Sequence, residues 1–160
     1  MPRPLVAVTI VWALVMPVVP ANAADTVPFH AVINTAPAVV GPCGPTCLAL
    51  EITGSGQATH LGRTHIDGPS QVDVVSGTQT GTSTLMAANG DTLVIEFSGT
   101  ATFTGPDPDD PVLFAGTWNV IDGTGRFAGS SGTGSYGGNA AGPAGTLLLD
   151  GSISGPGNGN

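Results

Sequence analysis

Residues 80–103 read Thr80-Gly81-Thr82-Ser83-Thr84-Leu85-Met86-Ala87-Ala88-Asn89-Gly90-Asp91-Thr92-Leu93-Val94-Ile95-Glu96-Phe97-Ser98-Gly99-Thr100-Ala101-Thr102-Phe103. Two extended runs flank Asn89-Gly90. An Asn-Gly pair in that setting marks a tight hairpin, because both central residues must tolerate positive φ. The run after the turn alternates cleanly. Leu93, Ile95, Phe97, Ala101 and Phe103 fall on one face. Thr92, Val94, Glu96, Ser98, Thr100 and Thr102 fall on the other. Successive strand side chains point to opposite faces. One face is therefore buried and one wet, as in an antiparallel sheet.

The same period extends in both directions. Upstream, Phe29, Ala31 and Ile33 oppose His30, Val32 and Asn34. Residues 36–47 read as a Pro/Gly-rich connector. Residues 48–52 read as a second strand, broken or bulged by Gly54-Ser55-Gly56. Residues 57–66 read as extended chain and Asp67-Gly68-Pro69 as a turn. Val72 and Val74 mark a further strand. Downstream, residues 105–111 form an acidic loop. Residues 112–121 read as a strand buried on both faces, with Val112, Phe114, Trp118 and Val120 on one side and Leu113, Ala115 and Ile121 on the other. Residues 146–154 close the series, with Leu147, Leu149 and Ile153 together. Gly-Thr occurs seven times, at Gly77, Gly81, Gly99, Gly116, Gly123, Gly132 and Gly145, at irregular intervals that exclude a fixed-period repeat. Each pair reads as a turn or kink glycine followed by a β-branched strand former.

No window has sustained helical spacing. Strands that each bury one face form either a sandwich or a closed barrel, and the barrel also removes the edges. The expected fold is all-β, a single antiparallel β-barrel of about eight strands, with a β-sandwich as the alternative.

Residues 1–23 read as a secretory signal peptide. Arg3 supplies a basic start, residues 5–16 are almost wholly apolar, and Ala21-Asn22-Ala23 fits a small-x-small cleavage site. The apolar run falls short of the roughly 20 residues a bilayer span needs. The expected organisation is residues 1–23 as leader, 24–47 as N-terminal strand and connector with the cysteine pair, 48–154 as barrel core, and 155–160 as a disordered tail. The expected location is secreted or extracytoplasmic, with no stable membrane insertion after cleavage. Cys43 and Cys47, the two cysteines of the chain, flank the turn sequence Gly44-Pro45-Thr46. In an exported chain such a pair reads as a structural disulfide.

The chain carries three Lys or Arg against eleven Asp or Glu, a formal net charge of −8. Nucleic-acid binding rests on cations that neutralise phosphates, so nucleic acid is excluded as a partner. Gly132-Thr133-Gly134-Ser135-Tyr136-Gly137 matches a dinucleotide-binding pattern by letters alone, since no helix follows to meet a pyrophosphate. Asp107, Asp109 and Asp110 lack the spacing of a twelve-residue calcium loop and read as a solvated loop. Asp91, Glu96 and Asp122 are the acids available inside the β region for paired-carboxylate chemistry.

His60, Arg63 and His65 are the densest group of function-capable side chains. Arg63 beside His65 would hold an anion or polarise a carbonyl, with His65 as acid or base near neutral pH. The alternative is two strand residues satisfied by hydrogen bonds. Read as a regular strand, His60 and His65 face opposite ways, so no metal site is expected. No cofactor is implied. The candidate ligand-binding residues are His60, Arg63, His65 and Glu96.

The segment Val120-Ile121-Asp122-Gly123-Thr124-Gly125-Arg126-Phe127-Ala128-Gly129-Ser130-Ser131-Gly132 resembles the glycine-rich stretch of the allene oxide cyclase and dirigent barrels. There, a Gly-Gly-Thr-Gly-x-Phe segment leads into a small-residue turn ending in Gly. Asp122 stands here where the first glycine is usual, and Ser130 where alanine is common. The resemblance implies an eight-stranded antiparallel barrel with an apolar cavity, often in a homotrimer, acting on or binding small hydrophobic compounds without a metal. It carries over no catalytic residue. Phe127 reads independently as a core anchor.

Three functions follow as expectations. The first is binding of a small, mainly apolar ligand in the barrel mouth. The second is a metal-free cyclase or isomerase, which requires Arg63, His65 or Glu96 to converge inside one cavity. The third is a non-catalytic envelope-associated structural protein.

Overall fold

The computed structural model describes residues 25–107 and 109–154. The leader at 1–23 and the tail at 155–160 lie outside the described residues. Eight strands run in chain order: β1 (Thr26–Pro42), β2 (Cys47–Ala58), β3 (Gly62–Asp73), β4 (Thr78–Ala87), β5 (Thr92–Phe103), β6 (Val112–Gly123), β7 (Gly132–Ala141) and β8 (Ala144–Ser154). Each pairs antiparallel with its neighbours, and β1 pairs with β8, so the sheet closes into an eight-stranded barrel. Closure leaves the strands without an exposed edge for most of their length. A 3₁₀ turn, η1 (Gly125–Phe127), interrupts the β6–β7 connection.

A hairpin forms at Asn89-Gly90, but as a three-residue loop: Ala87 N–H donates to the Asp91 carbonyl at 2.9 Å, and of the two residues Gly90 alone has positive φ, at 90°. The alternation of β5 also holds, with Leu93, Ile95 and Ala101 buried. Other segments differ from their sequence reading. Residues 36–42 are strand and not connector. β8 pairs with β1 only through Thr35, whereas β2 continues alongside to Pro42. Pro37 and Pro42 therefore stand where β1 has a partner on one side, the position in which a residue without N–H costs no ladder bond. A bulge falls between Val39 and Gly41. Gly54-Ser55-Gly56 does not break β2. Gly54 and Gly56 face inward, where a Cβ would run into the β1 backbone at Asn34 and Val32.

Residues 57–66 are not continuously extended: residues 59–61 turn the chain between β2 and β3, with His60 at φ 66°. Asp67-Gly68-Pro69 is not a turn but lies inside β3, paired with Thr53, Ile52 and Glu51. β6 is buried on one face only. Trp118 is fully buried, while Leu113 and Ile121 are each 50% exposed, because among the described residues no layer covers the outside of the barrel.

Three of the seven Gly-Thr pairs share one geometry. Gly77 lies in the β3–β4 connection at φ 74°. The other six glycines lie within strands, and Gly81, Gly99 and Gly116 sit directly beneath aromatic rings of the interior. The following Thr points outward. These are inside positions kept empty so that a ring can lie across them.

Two cross-strand rows depend on this. In the first, Trp118 of β6 is in register with Gly134 of β7, which pairs with Gly151 of β8, which pairs with Phe29 of β1. A Cβ at Gly134 would stand 2.6 Å from the Trp118 ring, and one at Gly151 would stand 2.8 Å from it. The indole lies over both glycines and meets Phe29 edge-on at 5.5 Å, while its Nε1–H donates to the Ser135 carbonyl at 2.9 Å. Here the G-x-G-x-x-G letters find their meaning: Gly134 is a bed for an indole. Phe127 and Leu61 complete the plug at this end, both buried.

Gly134 and Gly137 lie on opposite faces of β7. The Asp150 carbonyl and the Trp118 ring both block a side chain at Gly134, while the nearest atom to a Cβ at Gly137 is 3.7 Å away. Gly134→Ala is expected to cost about 1–3 kcal/mol through overpacking, and Gly137→Ala to stay within about 0.5 kcal/mol of the parent. Denaturant unfolding of the two variants checks the contrast.

Candidate functional site

The half of the barrel away from the Trp118 plug is hollow. A cavity of about 260 Å³ occupies it. Its walls come mainly from the C-terminal halves of β1, β3, β5 and β7 and the N-terminal halves of β2, β4, β6 and β8, with Ile66 and Ile95 at its floor. Leu48, Leu50, Ile52, Val72, Phe97 and Phe114 give it a mainly apolar surface. Val39 and Phe103 line it and are also 63% and 44% exposed, so the cavity reaches the surface at that rim.

The second cross-strand row supplies the polar groups. Gln79 of β4 pairs with Gly99 of β5, Gly99 with Gly116 of β6, and Gly116 with Tyr136 of β7. The Tyr136 ring runs along the wall over both glycines. A Cβ at Gly116 would stand 2.6 Å from the ring, and one at Gly99 would stand 2.7 Å from the hydroxyl. Phe97 meets the ring edge-on at 5.4 Å, and Phe114 tilts against it at 6.4 Å. The hydroxyl crosses two strands to donate to Gln79 Oε1 at 3.2 Å. Gln79 Nε2 donates to Ser70 Oγ at 3.4 Å, and Ser70 Oγ donates to the Thr80 carbonyl at 3.4 Å. Burial pushes the Tyr136 phenol up to about 12, which keeps it a neutral donor. Neutral hydrogen-bonded groups are the ones an apolar interior tolerates at low cost.

The mouth is braced. Cys43 and Cys47 are joined in a disulfide across a Cα separation of 5.0 Å, and Cys43 N–H donates to the Cys47 carbonyl at 2.9 Å. Thr46 Oγ1 donates to Asp73, which also accepts from Val75 and Ser76 N–H at 3.0 and 2.7 Å. The Ser76 N–H and then the Thr46 hydroxyl lead in holding the Asp73 carboxyl down to about 2. This clasp ties the β1–β2 and β3–β4 loops together.

The residues singled out from sequence lie elsewhere. His60 is in the β2–β3 turn, with Nε2 3.0 Å from the Pro28 carbonyl. Arg63 and His65 are exposed on the outer face of β3, and Glu96 is exposed on the outer face of β5. Glu96 pairs with Thr82, whereas His65 pairs with Met86, four residues along β4. The cavity does not bring Arg63, His65 and Glu96 together. All three occupy the outward parity of strands whose inward parity is apolar. Glu96 borders an outer groove with Thr82 and Asn119. Asp91 pairs with Arg126 at 3.5 Å, and Asp122 accepts from Gly123 N–H at 2.7 Å, so neither acid enters the cavity. In the acidic loop, Asp110 Oδ2 accepts from Asp107 N–H at 2.9 Å. Among the described residues no cluster of three or more His, Cys, Asp or Glu has metal-binding geometry.

Gln79, Tyr136 and Ser70 do not stand out in the sequence. One signal is present there: Gln79, Gly81, Ser83 and Leu85 share the inward parity of β4. Comparison with protein-family models, curated proteins and solved structures gives no match.

Two titrations follow. Tyr136 is the single tyrosine of the chain, so phenolate absorbance reports it alone. Its midpoint is expected near 12 in the folded protein, against about 10 after unfolding. Stability is therefore whole below about pH 10 and falls as pH rises towards 12, a loss absent in Tyr136→Phe. For Asp73, whose pKa is depressed from 3.8 to about 2, the sign is opposite. Its stabilisation is present above the unfolded value and lost as pH falls through the folded one. Asp73→Asn is expected to melt below the parent near neutral pH and to converge with it at about pH 2.

Proposed function

We propose that this protein is an exported barrel that binds a small, mainly apolar molecule in its lumen. The observation that carries the reading is the 260 Å³ cavity, mainly apolar, open at one end of a barrel whose other end is packed solid. An eight-stranded barrel either fills its interior with side chains or keeps room for one small ligand. Here the two halves divide those options. The exposed rim of Val39, Val40, Val74, Val75 and Phe103 supports entry at this end, since an apolar molecule would meet apolar surface before the lumen. Export rests on the leader-like residues 1–23, and the disulfide is compatible with an oxidising compartment.

A cavity of this size sets a scale. An apolar cavity of roughly 150 Å³ takes benzene. By proportion this lumen holds about ten non-hydrogen atoms, and a longer chain would extend through the mouth.

The neutral fluorophore N-phenyl-1-naphthylamine tests the reading: the ten carbons of its naphthalene unit match the lumen, and its anilino ring would lie outside against the apolar rim of Val39, Val40, Val74 and Val75. The mature protein is expected to give saturable enhancement at one equivalent. Ala140 lines the cavity and is half-buried. Ala140→Phe fills that space and is expected to weaken the probe by about tenfold or more, with an unchanged far-ultraviolet spectrum. Absence of saturable binding, or equal binding by the variant, sinks the proposal. Native mass spectrometry of the secreted protein, followed by solvent extraction, then identifies what it carries.

A further inference from the structure

The lumen's polar groups point to the kind of molecule that would suit it, an inference that rests on the ligand-binding reading above. Gln79 and Tyr136 are uncharged, and they stand at one position on an otherwise mainly apolar wall. An amide nitrogen carries two N–H groups, and one hydrogen bond among the described residues, to Ser70 Oγ, engages that of Gln79. The Tyr136 oxygen donates to Gln79 and keeps its acceptor lone pairs. Side by side, the pair offers one donor and one acceptor.

Charge is distributed against an anion. The chain has no lysine, and its arginines are Arg3, Arg63 and Arg126. Arg63 lies on the outer face beside the β2–β3 turn, and Arg126 is paired with Asp91 over the plug. His30, His60 and His65 are exposed and lie in the plugged half. Among the described residues no cationic side chain lines the cavity. The titratable group that does line it, apart from Tyr136, is Asp110 at the rim, on the loop that also carries Asp107 and Asp109. A carboxylate drawn into this lumen would lose its water, find no counter-charge and pass an acidic mouth. Burial of an unpaired charge is among the most expensive events in a protein interior.

We infer that the lumen selects an uncharged apolar molecule bearing a single hydroxyl, which accepts from the Gln79 amide and donates to the Tyr136 oxygen, and that it rejects the carboxylate of the same skeleton. A hydroxyl uses both offered roles. An acid anion can use only the donor, and a hydrocarbon neither. A site built to hydrogen-bond one group discriminates well against molecules that leave its polar atoms unmatched.

The test displaces N-phenyl-1-naphthylamine from the mature protein near neutral pH with 1-nonanol, nonanoate and nonylammonium, all of about the size the cavity suggests. Nonanol is expected to compete about tenfold or more better than nonanoate. Gln79→Leu, and independently Tyr136→Phe, are expected to narrow that gap by weakening nonanol while the probe still binds. Thermal melts confirm that both variants fold, and either one alone suffices. If the probe binds but nonanoate or nonylammonium competes as well as nonanol, the neutral-hydroxyl assignment is overturned and the lumen-binding proposal stands. The assignment is overturned in the same way if neither folded variant changes the order. If the probe itself finds no saturable site, the lumen-binding proposal fails and takes this inference with it.

Discussion

Aromatic rings laid flat across glycine lanes determine the interior of this barrel. An eight-stranded barrel has an inside about wide enough for side chains to fill. A large ring pointing to the axis would therefore block it. Trp118 and Tyr136 instead lie along the wall, each over two inward glycines of neighbouring strands: Gly134 and Gly151 for the first, Gly116 and Gly99 for the second. The two lanes have opposite results. The Trp118 lane ends at Phe29, where Phe127 and Leu61 crowd in and close the barrel. The Tyr136 lane ends at Gln79, and with the ring held against the wall the axis beside it stays open.

This constraint explains the composition. The chain has 25 glycines and 14 prolines, together about a quarter of its residues and near the level at which disorder becomes a consideration. Strand glycines cost backbone entropy and contribute no packing of their own. Each lane glycine recovers that loss through the ring lying on it, so glycine and aromatic are one packing unit split between strands. A side chain placed in a lane would meet both a neighbouring strand's carbonyl and the ring lying over it. The threonine after each Gly-Thr glycine faces the other way and supplies the β-branched preference that the glycine lacks.

Alternation along β1, β5 and β8, the Asn89-Gly90 turn, the Cys43–Cys47 pair and the Phe127 anchor are all legible in the sequence, because each depends on neighbours within a few residues. What is not legible depends on register across strands. Pro37 and Pro42 look like breakers until the early end of the β1–β8 ladder is known. Gly54 and Gly56 look like interruptions until β1 is seen to pass against them. Leu113 and Ile121 look like evidence for a second buried layer, although the described residues form none. The G-x-G-x-x-G letters make no phosphate site, yet Gly134 and Tyr136 within them belong to the two interior rows.

The candidate site is harder to read for a related reason. Sequence patterns draw attention to charged and ionisable side chains, here His60, Arg63, His65 and Glu96. In strands with an apolar inner face, the desolvation cost of charge assigns such residues to the outside. Polar recognition inside then falls to groups that can be buried neutral, here an amide and a phenol. Neither has a sequence signature, because Gln79 and Tyr136 are 57 residues apart and meet only across the Gly99–Gly116 lane. The bracing of the mouth fits this arrangement. The Cys43–Cys47 ring and the Thr46–Asp73 clasp order two loops before any ligand arrives. A lumen offering few hydrogen bonds has little binding energy to spend on ordering loops, so loops fixed in advance matter more here than in a site with a charged anchor.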